Sequence, residues 1–429
     1  MSQRLVASLG LPGSVFMGLG AILGTGVFVS IGIAAGIVGS AVVPAIAGAA
    51  LLALCNALSA AQLAAAHPVS GGTYEYGYRY LHPWLGFAAG WMFLCAKSAS
   101  AATAALGFAG YLLYMLDAPQ GCLIPVALLA VVVVTGVVLS GMRRSNRANF
   151  VIVSTTLVGL VYFVIAGAFY IRGDGGATLS VDVSTTDHQG TIADFLYATA
   201  LMFVAFTGYG RIATLGEEVH APRQTIPRAI LITLFISAVV YMAVAIVAVG
   251  AIGPQALALA TQGQAAPLQR VAAVLSMPGV VWIVGVAAIT AMLGVLLNLI
   301  LGLSRVLLAM GRRADMPSAV ARLDALGHTP YVSVIVIGAV VLVLASIGSV
   351  ETTWSFSAFT VLVYYAITNM AALRLPASDR RYPRLFSWLG LGGCLGLAFW
   401  VDVNVWLAGL AVLALGIAWR AVITYVRAR

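Results

Sequence analysis

Two basic residues stand where charge is costly. Lys97 and Arg211 both lie inside long apolar stretches, and Lys97 is the only lysine of the chain. A charge at such a place must face protein or a water-filled cavity rather than hydrocarbon. Lys97 lies about 13 residues, hence ~20 Å, beyond Trp84 at the end of its stretch, too far for the side chain to snorkel to water. A desolvated ammonium with no acid beside it can exchange its proton near neutral pH. The alternative is a lysine held by helix carbonyls and water for structure alone. Two glycine-rich runs are the other chemically suggestive features. One is Gly18-Leu19-Gly20-Ala21-Ile22-Leu23-Gly24-Thr25-Gly26-Val27-Phe28, the other Phe206-Thr207-Gly208-Tyr209-Gly210-Arg211. Each reads either as close helix packing, as for Gly20 and Gly24, or as an unwound helix with free backbone donors and acceptors. Breaks in the first and sixth apolar stretches together point to inverted repeats with a site at the bilayer midplane.

Composition narrows the function classes. Of 429 residues, 62% are hydrophobic and 8% charged, and the mean hydropathy is +1.04. A soluble chain of this length carries roughly a quarter charged residues, so a soluble multidomain enzyme is excluded. No Asp, Glu, Lys or Arg stands between Arg4 and Glu75. The net charge of +9 reads as the positive-inside bias of a membrane protein, with the lipid bilayer as partner and no nucleic acid. Cys55, Cys95, Cys122 and Cys394 stand far apart and suggest neither a disulfide framework nor a metal site. His67, His82, His188, His220 and His328 fall in loops or at helix ends. No nucleophile–base set or metal cluster emerges, so no enzyme activity and no cofactor are expected. The first apolar run lacks a signal-peptidase-like site and reads as a retained helix.

Apolar segments predict an all-α membrane protein of twelve spans, near 11–37, 41–66, 84–114, 121–140, 148–171, 192–219, 227–252, 279–310, 331–349, 352–374, 385–401 and 404–425. With the N-terminus in the cytoplasm, every basic residue except Lys97, Arg211, Arg172 and Arg270 falls on the cytoplasmic side. Both termini are therefore expected inside a plasma membrane. The acids sit in loops or near helix ends, and the loop 172–191 looks solvated.

At four places the chain resembles the amino acid–polyamine–organocation transporters. Gly24-Thr25-Gly26-Val27-Phe28 is similar to that family's first-helix break. His67-Pro68-Val69-Ser70-Gly71-Gly72-Thr73-Tyr74, followed by Gly86-Phe87-Ala88-Ala89-Gly90-Trp91, resembles its loop and third-helix signature. Glu217-Glu218-Val219-His220-Ala221-Pro222 with Ile226-Pro227-Arg228-Ala229-Ile230 resembles the segment joining helices six and seven. Gly302-Leu303-Ser304-Arg305-Val306-Leu307 and Met310-Gly311-Arg312 resemble the eighth-helix exit. The resemblance implies a LeuT-like 5+5 inverted-repeat core over 1–375, with repeats near 11–171 and 192–375. Helices 11 and 12, residues 376–429, would lie outside it.

The same resemblance implies a site. Around Gly24, Thr25 and Gly26 would hold a substrate carboxylate, at free N–H groups and a positive dipole end. Carbonyls of Ile22, Val204 and Thr207 would hold an amine beside the second break at Gly208 and Tyr209. Phe203 and Phe206 suit an aromatic lid, or ordinary packing. Relatives carrying cationic amino acids can have an acid where this chain has Gly210, so small neutral amino acids are expected. Arg211 departs from the small or apolar residue expected there. It suits a pair with Glu217 or Glu218, a water-filled inner cavity, or an anion-reading role that would admit acidic substrates. Lys97 matches a position where relatives place a tyrosine lining the path. Thr156, in Ser154-Thr155-Thr156, matches a position where some proton-coupled relatives carry lysine; these hydroxyls can also ligate sodium or bond back along the helix. Asn298 is the strong polar group of the eighth helix, with Thr290 and Ser304 near its ends, so proton coupling or exchange is favoured over sodium. The expectation is a secondary transporter of amino acids working by alternating access. A membrane-bound sensor or subunit that binds without transporting stays open, as do oligomeric state and direction.

Overall fold

The computed structural model describes residues 9–68, 71–140, 146–173, 191–213, 219–324 and 329–428. They form α1 (Leu11–Ile22), a π-helical turn (Gly26–Ser30), α2 (Ile31–Val38), α3 (Val42–Ala66), α4 (Thr73–Tyr80), α5 (Pro83–Met115), α6 (Leu123–Leu139), α7 (Asn146–Arg172) and α8 (Ile192–Phe206). A 3₁₀ turn (Thr207–Tyr209) leads into α9 (Gly210–Ala213) and α10 (Pro222–Ile252). Then come α11 (Pro254–Gln264), α12 (Pro267–Ala272), α13 (Val280–Arg312), α14 (Tyr331–Ala345), α15 (Val350–Leu373), α16 (Arg384–Ala398) and α17 (Val403–Ala428). Among the described residues, nine segments are long and apolar enough to cross a membrane, and α14 and α16 are shorter apolar helices. The chain is a multi-pass membrane protein. The expected loop 172–191 and Glu217 and Glu218 fall mostly or wholly outside the described residues.

Hydrophobic faces of helices that cross a bilayer need not turn inward, so small residues rather than large ones mark the centre. The run Ala96 to Gly110 of α5 is almost all Ala, Gly, Ser and Thr, and it is buried between α13 and α15. By contrast α17 presents Leu407, Leu415, Val422 and Val426 outward along its length.

Helix ends follow local chemistry. The helix expected from 227 begins at Pro222, since Ala221 takes a left-handed turn (φ 48°) and proline is at home in a first turn. Pro227 has no N–H to give, and the carbonyl it leaves free on Arg223 receives the Arg381 guanidinium at 2.6 Å. Three short helices, α4, α11 and α12, were not expected from apolar periodicity; α4 is a tyrosine-rich cap and the other two form a hairpin at the opposite end.

Where α1 begins, α4, the turn after α13 and α17 meet. Asp315 is 2% exposed there, not solvated as a loop acid would be. Its carboxylate accepts from Tyr74 Oη at 2.7 Å, Tyr78 Oη at 2.5 Å and the Arg420 guanidinium, and its carbonyl accepts from Trp419 Nε1 at 3.1 Å. Arg313 pairs with Glu75 at 2.6 Å and lies over the Tyr78 ring at 4.3 Å.

Candidate functional site

The first break separates α1 from the π-helical turn. Leu23 still donates its N–H to Leu19 O at 2.7 Å, but its own backbone is extended (φ −75°, ψ 93°). The chain re-coils with the N–H groups of Val27 and Phe28 both on Gly24 O at 3.1 Å. The N–H groups of Thr25 and Gly26 thus begin a helix with no carbonyl ahead of them. Thr25 is 4% exposed, and its hydroxyl is buried without a hydrogen-bond partner. Free donors at a helix start favour an anion.

In the second break, α8 tightens into the turn Thr207–Tyr209 and restarts as α9. The two breaks touch. A Cβ on Gly208 would stand 2.4 Å from Ala21 O, and one on Gly26 would stand 2.8 Å from Ala205 Cβ and 2.7 Å from Tyr241 Oη. Glycine at these two places is what lets the backbones approach. Gly24 also packs closely, against Val295 of α13.

All three carbonyls expected to hold an amine receive a hydroxyl. Tyr241 Oη lies 2.8 Å from Ile22 O and 3.1 Å from Ala205 O, Thr207 Oγ1 donates to Val204 O at 2.7 Å, and Tyr365 Oη donates to Thr207 O at 3.1 Å. A carbonyl has a second lone pair, so each can still accept from a ligand. Lys97, 8% exposed, reaches the same turn and donates from Nζ to Thr207 Oγ1 at 2.7 Å. The sole lysine is therefore attached to the second break by a side-chain hydroxyl, not by helix carbonyls.

Phe203 and Phe206 are fully buried. Phe203 meets Tyr365 edge-on at 5.6 Å, Phe206 packs on Tyr241 at 5.1 Å, and Tyr209 lies 5.5 Å from Tyr365. The phenylalanines wedge the phenols that bond the carbonyls. Tyr241 and Tyr365 were not anticipated from sequence. A tyrosine in an apolar run reads as an interface or packing residue, and only the fold shows which carbonyl it meets.

The other expected residues of α7 and α13 bond within their own helices or face elsewhere. Thr156 is buried and donates back to Ile152 O at 2.8 Å. Ser154 and Thr155 face an outer crevice with Trp282 and Val286. Thr290 and Ser304 bond their own helix carbonyls, and Asn298 Nδ2 is buried without a partner. Arg211 is half-buried beside Gly302 of α13.

Exposure differs across the break. Residues Ile22 to Ala35 are all buried, and above them Tyr111 Oη donates to Phe28 O at 2.8 Å while accepting from Leu268 N at 3.1 Å, tying the π turn to α12. On the other side Ala21, Gly208, Gly210 and Arg211 are partly exposed. The junction is shut toward the α11–α12 hairpin and half-open toward the end where α1 begins.

Gly26→Val places a branched side chain into Tyr241 and Ala205. Substrate binding to the purified protein is expected to be lost, while Gly121→Val, where a Cβ meets nothing, leaves it unchanged. Normal affinity in Gly26→Val, measured by equilibrium binding of labelled substrate, would remove the carboxylate site from this break.

Comparison with known proteins places the chain. The model of the amino acid permease family matches residues 13–426. The chain is 41% identical over 417 residues to an uncharacterised transporter of Mycobacterium tuberculosis (strain ATCC 25618 / H37Rv), covering 97% of this chain and 91% of that one. It is 27% identical to the branched-chain amino acid permease BcaP of Bacillus subtilis (strain 168), over 92% of this chain and 86% of that one. To the mitochondrial cationic amino acid transporter 3 of Arabidopsis thaliana it is 24% identical, over 86% of this chain and 62% of the relative. With its glycine breaks opposed and its relatives transporters rather than enzymes, the chain belongs to the amino acid permease family, within the amino acid–polyamine–organocation superfamily.

Proposed function

We propose that the protein is a secondary transporter of small neutral amino acids in the plasma membrane, with twelve spans, both termini cytoplasmic and a 5+5 inverted-repeat core. The observation that carries this is the meeting of the two breaks: the helix start at Thr25–Gly26, with its unpaired hydroxyl, packs against the backbone of Ala205, flanked by the carbonyls of Val204 and Thr207. An α-amino acid carries an anion and a cation on adjacent atoms and fits across that junction. Similarity to a branched-chain permease supports a neutral side chain. Similarity to a cationic transporter weighs less, because Gly210 leaves no carboxylate to meet a second ammonium. Alternating access moves the site from the shut side to the half-open one. Lys97, attached to Thr207, is the group through which a proton drives or replaces the coupling ion.

The test is uptake of a panel of radiolabelled amino acids by purified protein in liposomes, with imposed pH or sodium gradients. Uptake of neutral amino acids, enhanced by a pH gradient, is the expected result. Binding without uptake or counterflow would instead make the protein a sensor.

A second reading is supported by Arg211, which stands at the half-open edge of the second break. If it reads an anionic side chain, Arg211→Ala weakens uptake of aspartate or glutamate by about ten-fold, some 1.4 kcal/mol, and leaves alanine or valine uptake unchanged. Equal loss for both classes, with a lower melting temperature, would make Arg211 structural.

A further inference from the structure

We infer that a seam of paired hydroxyls between α5 and α15 conducts protons between the α11–α12 end of the bundle and Lys97; this rests on the reading of Lys97 as the coupling group. Lys97, Ser100 and Thr103 recur at intervals of three along α5 and so share a face. Across it, antiparallel α15 presents partners in matching order. Ser100 Oγ and Ser357 Oγ are 2.8 Å apart, as are Thr103 Oγ1 and Thr353 Oγ1, and the two threonine hydroxyls also reach Ala99 O and Ser349 O on their own helices, the positions they turn from when a proton passes. These four side chains are at most 6% exposed. Thr353 Oγ1 lies 3.2 Å from the carbonyl of Val350, which with Glu351, Gly32, Gly36, Thr261 and Gln262 lines a cavity of about 60 Å³. The seam therefore runs from an acid beside a cavity, over two hydroxyl pairs, toward the one intramembrane lysine.

Three features favour conduction. A hydroxyl donates and accepts at once, so it can take a proton on a lone pair while passing its own onward. Lys97, Ser100 and Thr103 are each displaced by ~4.5 Å of helix rise along α5, and the proposed path crosses each step through one water. Packing alone is already supplied by Ala96, Ala99, Ala101, Ala102 and Ala104 on the same helix. In the step proposed, a proton arriving as hydronium in the cavity beside Glu351 enters at Thr353 or Thr103 and leaves water behind, and each hydroxyl returns to neutrality by giving up its original proton. The neutral Lys97 amine takes the last one and becomes ammonium. Release follows on the half-open side, past Gly208. The titratable groups packed about this line are the phenols of Tyr209, Tyr364 and Tyr365 near Lys97, and Tyr197 near Glu351, whose Oη lies 2.9 Å from Ser355 Oγ.

The experiment compares wild type, Ser100→Ala/Thr103→Val and Ser100→Thr/Thr103→Ser, each full-length in liposomes. One assay is uptake driven by a pH gradient; the other is substrate counterflow at equal pH, which needs no net proton transfer. The hydroxyl-free variant is expected to slow driven uptake about ten-fold or more while counterflow stays within about two-fold, and the hydroxyl-keeping variant to resemble wild type. Driven uptake at the wild-type rate in the hydroxyl-free variant would overturn the seam and leave Lys97 in place. Parallel loss of both assays with a lower melting temperature would make the seam a helix-packing contact, and would equally overturn it. A wild type that ignores the pH gradient would overturn the seam and the role of Lys97 together.

Discussion

Lys97→Met is expected to abolish accumulation of substrate driven by a pH gradient while leaving substrate binding within about three-fold of wild type. The reason is position. The amine contacts Thr207 Oγ1 at 2.7 Å, and that hydroxyl in turn holds Val204 O at the second break, so gain or loss of a proton on Lys97 alters the hydrogen bonds of that turn. Methionine keeps the bulk and loses the proton. Lys97→Arg provides the complementary test, because guanidinium keeps its charge at all accessible pH and holds the site in one protonation state. Both variants should therefore fail to accumulate substrate, although one is neutral and the other cationic. Thr207→Val, which removes the hydroxyl between amine and carbonyl, should give partial uncoupling. The measurement is steady-state accumulation in liposomes across external pH from about 5 to 8. Wild-type accumulation with an unaltered pH profile in Lys97→Met would end the coupling role.

Arg420→Leu is expected to cost about 3–5 kcal/mol of stability, because it strands the buried Asp315 carboxylate. Two phenols would still donate to it; burial and that carboxylate both hold the Tyr74 and Tyr78 hydroxyls above their ordinary range, so they stay protonated donors. They do not neutralise it. Arg420 also lies 5.3 Å from the Phe87 ring and 5.5 Å from that of Tyr78, contacts that leucine replaces only in part. Adding Asp315→Asn to Arg420→Leu should recover much of the loss by removing the orphan charge. Thermal unfolding of the two variants in detergent decides it. A double variant no more stable than Arg420→Leu would show that the ion pair is not what holds α17 to α4.

What the sequence conveyed depended on how far each signal had to reach. Both breaks were legible because glycine clusters recur in the first and the sixth apolar runs together, where either alone reads equally as helix packing, and Lys97 because a lone charge in a span must find a partner. Which partner was not legible: Thr207 lies 110 positions away, and nothing local in either run marks the pair. The same distance hid Tyr241 and Tyr365, whose carbonyl partners lie on other helices. The burial of Asp315 was hidden for a different reason. Its neighbours in sequence are loop-like, but its burial comes from α4 and α17, hundreds of residues apart. Thr155 and Thr156 differ by about 100° around α7, enough to send one to an outer crevice and keep the other buried, and span assignment alone does not fix that rotation.

The hydroxyls on Ile22 O, Val204 O and Thr207 O bear on what happens after cargo has left. A carrier that performs net transport must recross the membrane empty, and an empty site with bare carbonyls in a dry interior would resist closing. Here the acceptors are occupied by the protein's own side chains, and the unpaired Thr25 hydroxyl is the conspicuous exception. On the function proposed above, closing around nothing leaves the donors of the Thr25–Gly26 helix start unmet but not the carbonyls opposite them, and an unloaded return is the expected result where a strict one-for-one exchanger would allow none. Removing those stand-ins, as in Tyr241→Phe with Tyr365→Phe, would turn a carrier able to reset alone into one that waits for the next molecule before it can reset.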